Sequence, residues 1–325
     1  MTNHSSYCCT EPGCSRVRLT EGPDGLKCPN GHGFPFAEGT RVPVFASQPE
    51  GANEYSTKDA AEIHDNSLRW VFNTFQADED DLRDRLISRI GLKRGQRVLI
   101  TGAGAGNDLP YLAAALSGSG EIYAQDIARE MLLAGVSRHA QALTALGVES
   151  HFSVSDATNL PFADGFFDAA YHFGGINLFP DIAAGISEMN RVVKSGGNIV
   201  IGDEGLAPWL VETEMGRMLI NNNALYAYPA PLNAIPKTAR EVKLSWELSN
   251  SFYVIEFQAC TDPLPLDIDV LHLGKRGGTI RSRYFGRMEG VDPDLRDQVY
   301  REAERRGVSR VEFLETALRA SLDKD

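Results

Sequence analysis

No stretch of the 325 residues holds the run of about 18 apolar side chains that a membrane-spanning helix needs. The opening segment MTNHSSYCCTEPG has no apolar core of a secretory signal, so the expectation is a cytoplasmic protein. Positive charge is scarce as well: 32 Lys and Arg stand against 44 Asp and Glu, a net charge of −12. Phosphate backbones bind to positive fields, which argues against nucleic acid as the main partner and for a small molecule. Cysteine is missing between Cys28 and Cys260, so no disulfide framework runs through the body of the chain. What is present, 42% hydrophobic and 23% charged residues, can build one large domain with appendages or two modest ones.

Four of the five cysteines, Cys8, Cys9, Cys14 and Cys28, crowd into the first thirty residues. In a reducing compartment such crowding reads as metal binding rather than disulfide pairing. Cys9, Cys14, Cys28 and His32 supply three thiolates and an imidazole, a closed tetrahedral set suited to structural zinc. Cys8 competes with Cys9 for the first position. Residues 34–45, FPFAEGTRVPVF, read as two short strands about a turn at Glu38 and Gly39. Residues 1–46 are therefore expected to form a zinc-ribbon-like segment. Residues 47–90 follow as a linker and packing helices, 91–260 as an α/β domain, and 261–325 as a basic loop and helix.

The chemistry concentrates in VLITGAGAGNDLPYLAAAL, residues 98–116. A short apolar strand runs into Gly102, Gly104 and Gly106 at alternate positions, and Asn107 and Asp108 then open a helix. Strand, glycine turn and helix bring backbone N–H groups close to a nucleotide-like ligand. A dinucleotide fingerprint would place its last glycine at Asn107, so a nicotinamide cofactor is disfavoured. A second strand, 121–125, ends at Asp126, where a carboxylate can accept both hydroxyls of a ribose. Strands at 152–155 and 167–171 end at Asp156-Ala157 and His172-Phe173, and a strand at 198–202 ends at Asp203-Glu204.

GAGAG, Asp126, SDATNLPFADGFFD and EMNRVVKSGG, in this order and at these intervals, resemble the motifs of class I S-adenosylmethionine-dependent methyltransferases. The nearest pattern is that of the ubiquinone/menaquinone C-methyltransferases, and the likeness covers roughly residues 91–205. It implies a Rossmann-like seven-stranded α/β sheet and S-adenosylmethionine as cofactor. Gly102, Gly104 and Gly106 would wrap the methionine part, Asp126 the ribose, and Ile127 the adenine face. Asp156 and Ala157 would read the adenine edge, with His172 and Phe173 beside the sulfonium. One departure stands out: the family usually carries an acid where this chain has Ile100, and Asp108 or a backbone carbonyl is left to compensate. The N-terminal segment resembles the zinc ribbon that precedes some methyltransferases, including a group acting on ribosomal RNA.

The implied activity is methyl transfer to a small-molecule acceptor by in-line attack. RNA or protein gripped by the ribbon is the competing substrate, and a cofactor-binding module without catalysis a third reading. His172 is the first candidate for a general base, because an imidazole titrates near neutrality. Asp203 and Glu204 end a strand at the same edge and are the other candidates. Flanking helices are read from their apolar spacing. One packs Ile63, Trp70, Val71 and Phe75; the next packs Leu82, Leu86, Ile87 and Ile90 and ends at Gly91. These two could also serve as a lid. Beyond residue 205, a helix with Leu210, Met215, Met218 and Leu219 inward precedes an aromatic insert, with Tyr226 and Tyr228 toward substrate. A hairpin about Ser249 and Asn250 completes the sheet, and a basic stretch, 273–290, leads to a final helix interrupted at Gly307.

Overall fold

A computed structural model describes residues 4–46, 55, 57–275, 277–284 and 292–323. The chain divides into two compact units, 1–264 and 265–325. Most of the linker read at residues 46–57, and positions 276 and 285–291 of the basic stretch, lie outside the described residues. Among the described residues no helix is long and apolar enough to cross a membrane.

The first unit opens on a small antiparallel sheet of β1 (Thr20–Glu21), β2 (Gly25–Lys27) and β3 (Gly33–Pro35). The second strand expected after Gly39 does not form. Pro43 has no N–H to give a ladder, and residues 36–44 make only isolated bridges, Phe36 with Pro43 and Val44 with Val154.

Two helices follow. In α1 (Ala60–Phe75), Phe72 is buried with Leu68, Val71 and Phe75 packed around it. Ile63 and Trp70, expected inside, are 44% and 48% exposed. Two overlapping apolar stripes run along this helix, and the core takes the one through Phe72. In α2 (Glu79–Ile90), the Asp78 carboxylate accepts the Asp81 N–H at 2.9 Å, which satisfies one orphan donor of the first turn. Leu82, Leu86, Ile87 and Ile90 are buried, and Gly91 ends the helix at φ +67°, as its sequence implies.

The main sheet comprises β4 (Arg97–Thr101), β5 (Gly120–Asp126), β6 (Val148–Val154), β7 (Ala169–Phe173), β8 (Asn198–Glu204), β9 (Arg240–Glu247) and β10 (Phe252–Gln258). Between them lie α3 (Leu109–Ala115), α4 (Arg129–Ala145), α5 (Ile182–Val192) and α6 (Glu214–Asn222). The strand order is β6-β5-β4-β7-β8-β10-β9, and only β10 runs against the rest. This is the expected Rossmann-like seven-stranded architecture, with the order reversing between β4 and β7. In such open sheets, ligands bind beyond the carboxyl ends of the strands at that reversal. β6 starts four residues before the strand read from sequence, and β7 is displaced by two, because Phe167 bridges Val193 instead of joining the ladder.

On α6, Met215 and Met218 point outward, 65% and 56% exposed, while Leu219 and Ile220 pack inward. Tyr226 is buried in the core against Phe75 and Phe252 rather than facing substrate. The hairpin turns through Leu248, Ser249 and Asn250, all at positive φ.

The second unit holds α7 (Ile280–Tyr284), α8 (Pro293–Arg306) and α9 (Arg310–Leu322). Gly307 breaks the last two apart, and the Ser309 hydroxyl caps α9 by accepting the Glu312 N–H at 3.1 Å. Arg281 in the basic stretch is forked onto Asp269, at 2.7 and 2.9 Å.

The packing of α2 gives a first test. Leu86→Ala removes a fully buried side chain and is expected to cost about 2–5 kcal/mol in urea unfolding. Met218→Ala is expected to stay within about 0.5 kcal/mol. Equal costs at the two positions would refute the inward faces described here.

Candidate active site

A cavity of about 340 Å³ opens beyond the carboxyl ends of β4, β5, β6, β7 and β8. Its size and its largely apolar wall are those of a small-molecule site. Each strand hands it residues in turn: Gly102 to Ala105 and Asp108 after β4, Asp126 to Ala128 from β5, Ser155 to Ala157 after β6, His172 to Gly175 from β7, and Glu204 from β8. Eight of the nine residues singled out for cofactor binding thus border one space. Gly106 does not. It turns at φ +84°, and a Cβ there would come within 2.8 Å of Leu109 and His139, so its role is to seat the turn on α3 and α4.

The glycine turn is held by the acid of the next strand. Asp126 Oδ2 accepts the Gly104 N–H at 2.7 Å, and its Oδ1 accepts the Ala128 N–H at 2.7 Å. Burial pushes this carboxyl above its ordinary value, against these backbone hydrogen bonds. Gly102 sits at φ +61° with the His172 ring edge behind it, 2.8 Å from where a Cβ would stand. Asp156 folds its Oδ1 back onto the N–H and hydroxyl of Thr158, at 2.7 and 2.8 Å, which orders the loop after β6.

His172 is not placed like an exposed base. The residue is fully buried, its Nδ1 lies 3.0 Å from the Thr101 hydroxyl, and its Nε2 has no partner among the described residues. Burial lowers its pKa, so the ring is neutral and supports the turn.

The carboxylates at the end of β8 are better placed for proton chemistry. Asp203 is fully buried, and its oxygens accept the N–H groups of Asn177 at 2.7 Å and Glu204 at 2.9 Å. Asn177 in turn accepts the Tyr253 hydroxyl at 3.0 Å and donates to the Glu204 carbonyl at 2.7 Å. Beside Asp203, burial and then its carboxylate push Glu204 up to about 9.

Three further contributors line this wall: α1 and α2, read above as packing helices or a lid, and the insert, read as turned toward substrate, with its hairpin. α1 supplies His64, Leu68, Val71 and Phe72; α2 supplies Leu82 and Arg83; the hairpin and the insert before it supply Leu225, Leu248 and Phe252. Their periodicity reported only which helix faces were apolar, not that a cavity interrupted the packing.

Residues 99–201 match the family described as Methyltransferase domain. Over that stretch the chain is similar to methyltransferase domains. A demethylmenaquinone methyltransferase of Beutenbergia cavernae is 35% identical over 128 residues, 39% of this chain and 48% of that protein. A ubiquinone/menaquinone biosynthesis C-methyltransferase of Bordetella avium is 29% identical over 209 residues, 57% of this chain and 76% of that one. The chain spans about half the length of the first curated relatives it matches, 44% to 63%. Among solved structures, phosphoethanolamine N-methyltransferase 2 of Haemonchus contortus, in complex with S-adenosyl-L-methionine, has a TM-score of 0.50 at 14% identity. That likeness covers 66% of this chain and 62% of that one, and it is one of fold.

The Glu204 environment makes a test that needs no ligand. Between the ordinary value of 4.5 and about 9, the unfolded chain has released a proton that the folded protein keeps. The Glu204 contribution to stability is therefore full at low pH and lost as pH rises through that window. Thermal unfolding of Glu204→Gln against the parent should show a gain that grows from pH 5 to pH 9, on the order of that window. A gain independent of pH would contradict this placement.

Proposed function

We propose that this protein is an S-adenosylmethionine-dependent methyltransferase acting on an apolar small-molecule acceptor. One observation carries the reading: the cavity gathers Gly102, Gly104, Asp126 and Asp156 from successive strand ends and closes over them with aromatic and aliphatic side chains. The residues suit such a cofactor. Asp126 retains acceptor capacity beyond its two backbone bonds for a ribose, since a carboxylate has about four lone-pair sites. Ile127 and Ala128 offer an apolar surface for a purine, and Asp156 and Ala157 follow β6 where its edge would lie. When bound, S-adenosylmethionine would supply the electrophilic methyl group.

The chain contributes placement, dryness and proton handling. Phe173, Phe179 and Phe252 would exclude water and offer an apolar surface to orient an acceptor. Glu204, in its ionised form, takes the proton that a hydroxyl or carbon acid must lose. His172 stays neutral and supports the turn rather than acting as the base. The names of the relatives favour a quinone-type acceptor methylated at carbon. RNA or protein as substrate has less support, since the cavity wall is largely apolar and the chain is acidic.

Zinc in the N-terminal ribbon belongs to the same proposal. Cys9, Cys14, Cys28 and His32 bring their ligand atoms within 4.8 Å of one another, and Cys9 rather than Cys8 is the first member. The Asn30 backbone N–H points at Cys28 Sγ and its side-chain amide at Cys14 Sγ, both at 3.4 Å, as donors to metal-bound thiolates do. Four protein ligands leave no open position, so the metal is structural.

Two measurements test these readings. Methyl transfer to a 1,4-naphthohydroquinone, followed by mass spectrometry, should rise with pH toward about 9 and fall about 10²- to 10⁴-fold in Glu204→Gln. A protein that binds neither S-adenosylmethionine nor its demethylated product at millimolar concentration would refute the activity. Metal analysis should find one zinc per chain. Cys14→Ser should lose it and lower the melting temperature of the whole first unit, because the ribbon shares a core with the sheet. A metal-free protein of unchanged stability would dismiss the zinc.

A further inference from the structure

The position where the resembling family carries an acid is closed in this chain. Ile100 is buried in the hydrophobic core and does not border the cavity. Two charged residues near the start of α3 do. Asp108, just past the glycine turn, and Arg83, from α2, are 8% and 5% exposed, and both line the cavity wall. The Arg83 Nη1 donates to Asp108 Oδ1 at 2.5 Å, and the Tyr171 hydroxyl stands 3.5 Å from the same oxygen. Arg83 also sets its Nε and Nη2 on Glu79 Oε1, at 2.8 and 2.7 Å, which fixes the plane of the guanidinium.

A buried ion pair of this kind adds little stability over an apolar pair of similar shape, because desolvation consumes the attraction. Its presence at the edge of a ligand cavity calls for another account. Guanidinium carries five N–H donors, and the contacts with Glu79 and Asp108 occupy three. One N–H on each terminal nitrogen is left as a donor for a carboxylate. Next to them the His64 Nδ1 is buried without a partner among the described residues, on the same cavity wall. One cation and one accessible anion, side by side in a dry wall, are complementary to a zwitterion.

We propose that Arg83 and Asp108 form an amino-acid clamp. Arg83 pairs with the α-carboxylate and Asp108 with the α-ammonium of the cofactor's methionine part, in place of the acid missing at Ile100. This assignment rests on the methyltransferase reading above. It makes the clamp a device of α2 and of the start of α3, two elements that meet only when the helices preceding the sheet are docked.

Calorimetric titration with three probes tests it without an acceptor: S-adenosylhomocysteine, its decarboxylated analogue, and 5′-methylthioadenosine, which has no amino-acid end. The parent should bind S-adenosylhomocysteine about 10- to 100-fold more tightly than 5′-methylthioadenosine. Asp108→Asn should weaken both amine-bearing probes and leave 5′-methylthioadenosine within about twofold. Arg83→Lys, which keeps the charge that stabilises Glu79 and Asp108, should weaken S-adenosylhomocysteine alone. Equal binding of all three probes by the parent would overturn the clamp while leaving the cofactor reading intact. So would variants that weaken the three probes alike, as a merely structural pair would. A parent that binds none of them removes the cofactor reading and the clamp with it.

Discussion

The Asp126 carboxylate is the tie on which the site depends. It reaches from the end of β5 to the Gly104 N–H on the neighbouring turn and to the Ala128 N–H at the head of α4. Beside it, the Ala103 N–H donates to the Gln125 carbonyl at 2.9 Å, and together these bonds hold Gly102 and Gly104 at φ +61° and +51°. Those values place the chain in the left-handed region that glycine enters at no steric cost. The same group that shapes the cradle also faces what the cradle holds. Burial raises its pKa and the two N–H donors oppose that rise, a balance an incoming pair of hydroxyl donors would tip toward the ionised form.

A second constraint acts from the far edge of the sheet. β6 is an edge strand, and an uncovered edge invites pairing with another chain. Here the ribbon's tail lies along it. Val154 donates to the Pro43 carbonyl at 2.9 Å and accepts from Phe45 at 2.8 Å, while the Tyr7 hydroxyl donates to the Phe152 carbonyl at 3.3 Å. Tyr7, Leu26 and Phe34 share one apolar cluster with Leu99, Tyr123 and Phe162. The ribbon is thus built into the sheet, and the residue it pins, Val154, is two positions before Asp156 in the cavity wall. Order in the Cys9, Cys14, Cys28 and His32 cluster and order on that side of the cavity travel through the same strand.

Much of this was legible in the sequence because it is local. Alternate glycines after an apolar strand, an acid one helix and one strand later, and Asp78, Gly91 and Ser309 at helix ends each declare themselves within a few residues. The Cys9, Cys14, Cys28 and His32 cluster could be read for a related reason: cysteine is rare enough here for spacing alone to group these residues, whose ligand atoms lie within 4.8 Å of one another. The errors fall where two solutions fit one local pattern. α1 has apolar residues on adjacent stripes, and only the partner decides between Trp70 and Phe72. Met215 and Met218 have the right spacing for an inward face, but α6 is short and its neighbours accept Leu219 and Ile220 instead. Arg83 and Asp108 lie 25 positions apart on different helices, and no periodicity relates them. Gly106 shows the opposite failure, a motif residue whose glycine serves packing rather than the ligand.

The strand order also divides the labour across the cavity. From β6 to β8 is four steps of the sheet, about 19 Å at the usual strand spacing. Asp156 and Asp126 stand at the ends of β6 and β5, on one side of the reversal, and Glu204 at the end of β8, on the other. A nucleotide laid across β6, β5 and β4 leaves the ends of β7 and β8 for a second molecule. That second half is where Phe173 and Glu204 are placed, the latter kept protonated at neutral pH by burial and by the charge of Asp203. An ionised group there would favour a polar acceptor and admit water. In the proposed reaction, a neutral carboxyl there keeps the half-site apolar at rest and becomes the base once its proton is released. The same burial that makes the site dry sets the strength of that base.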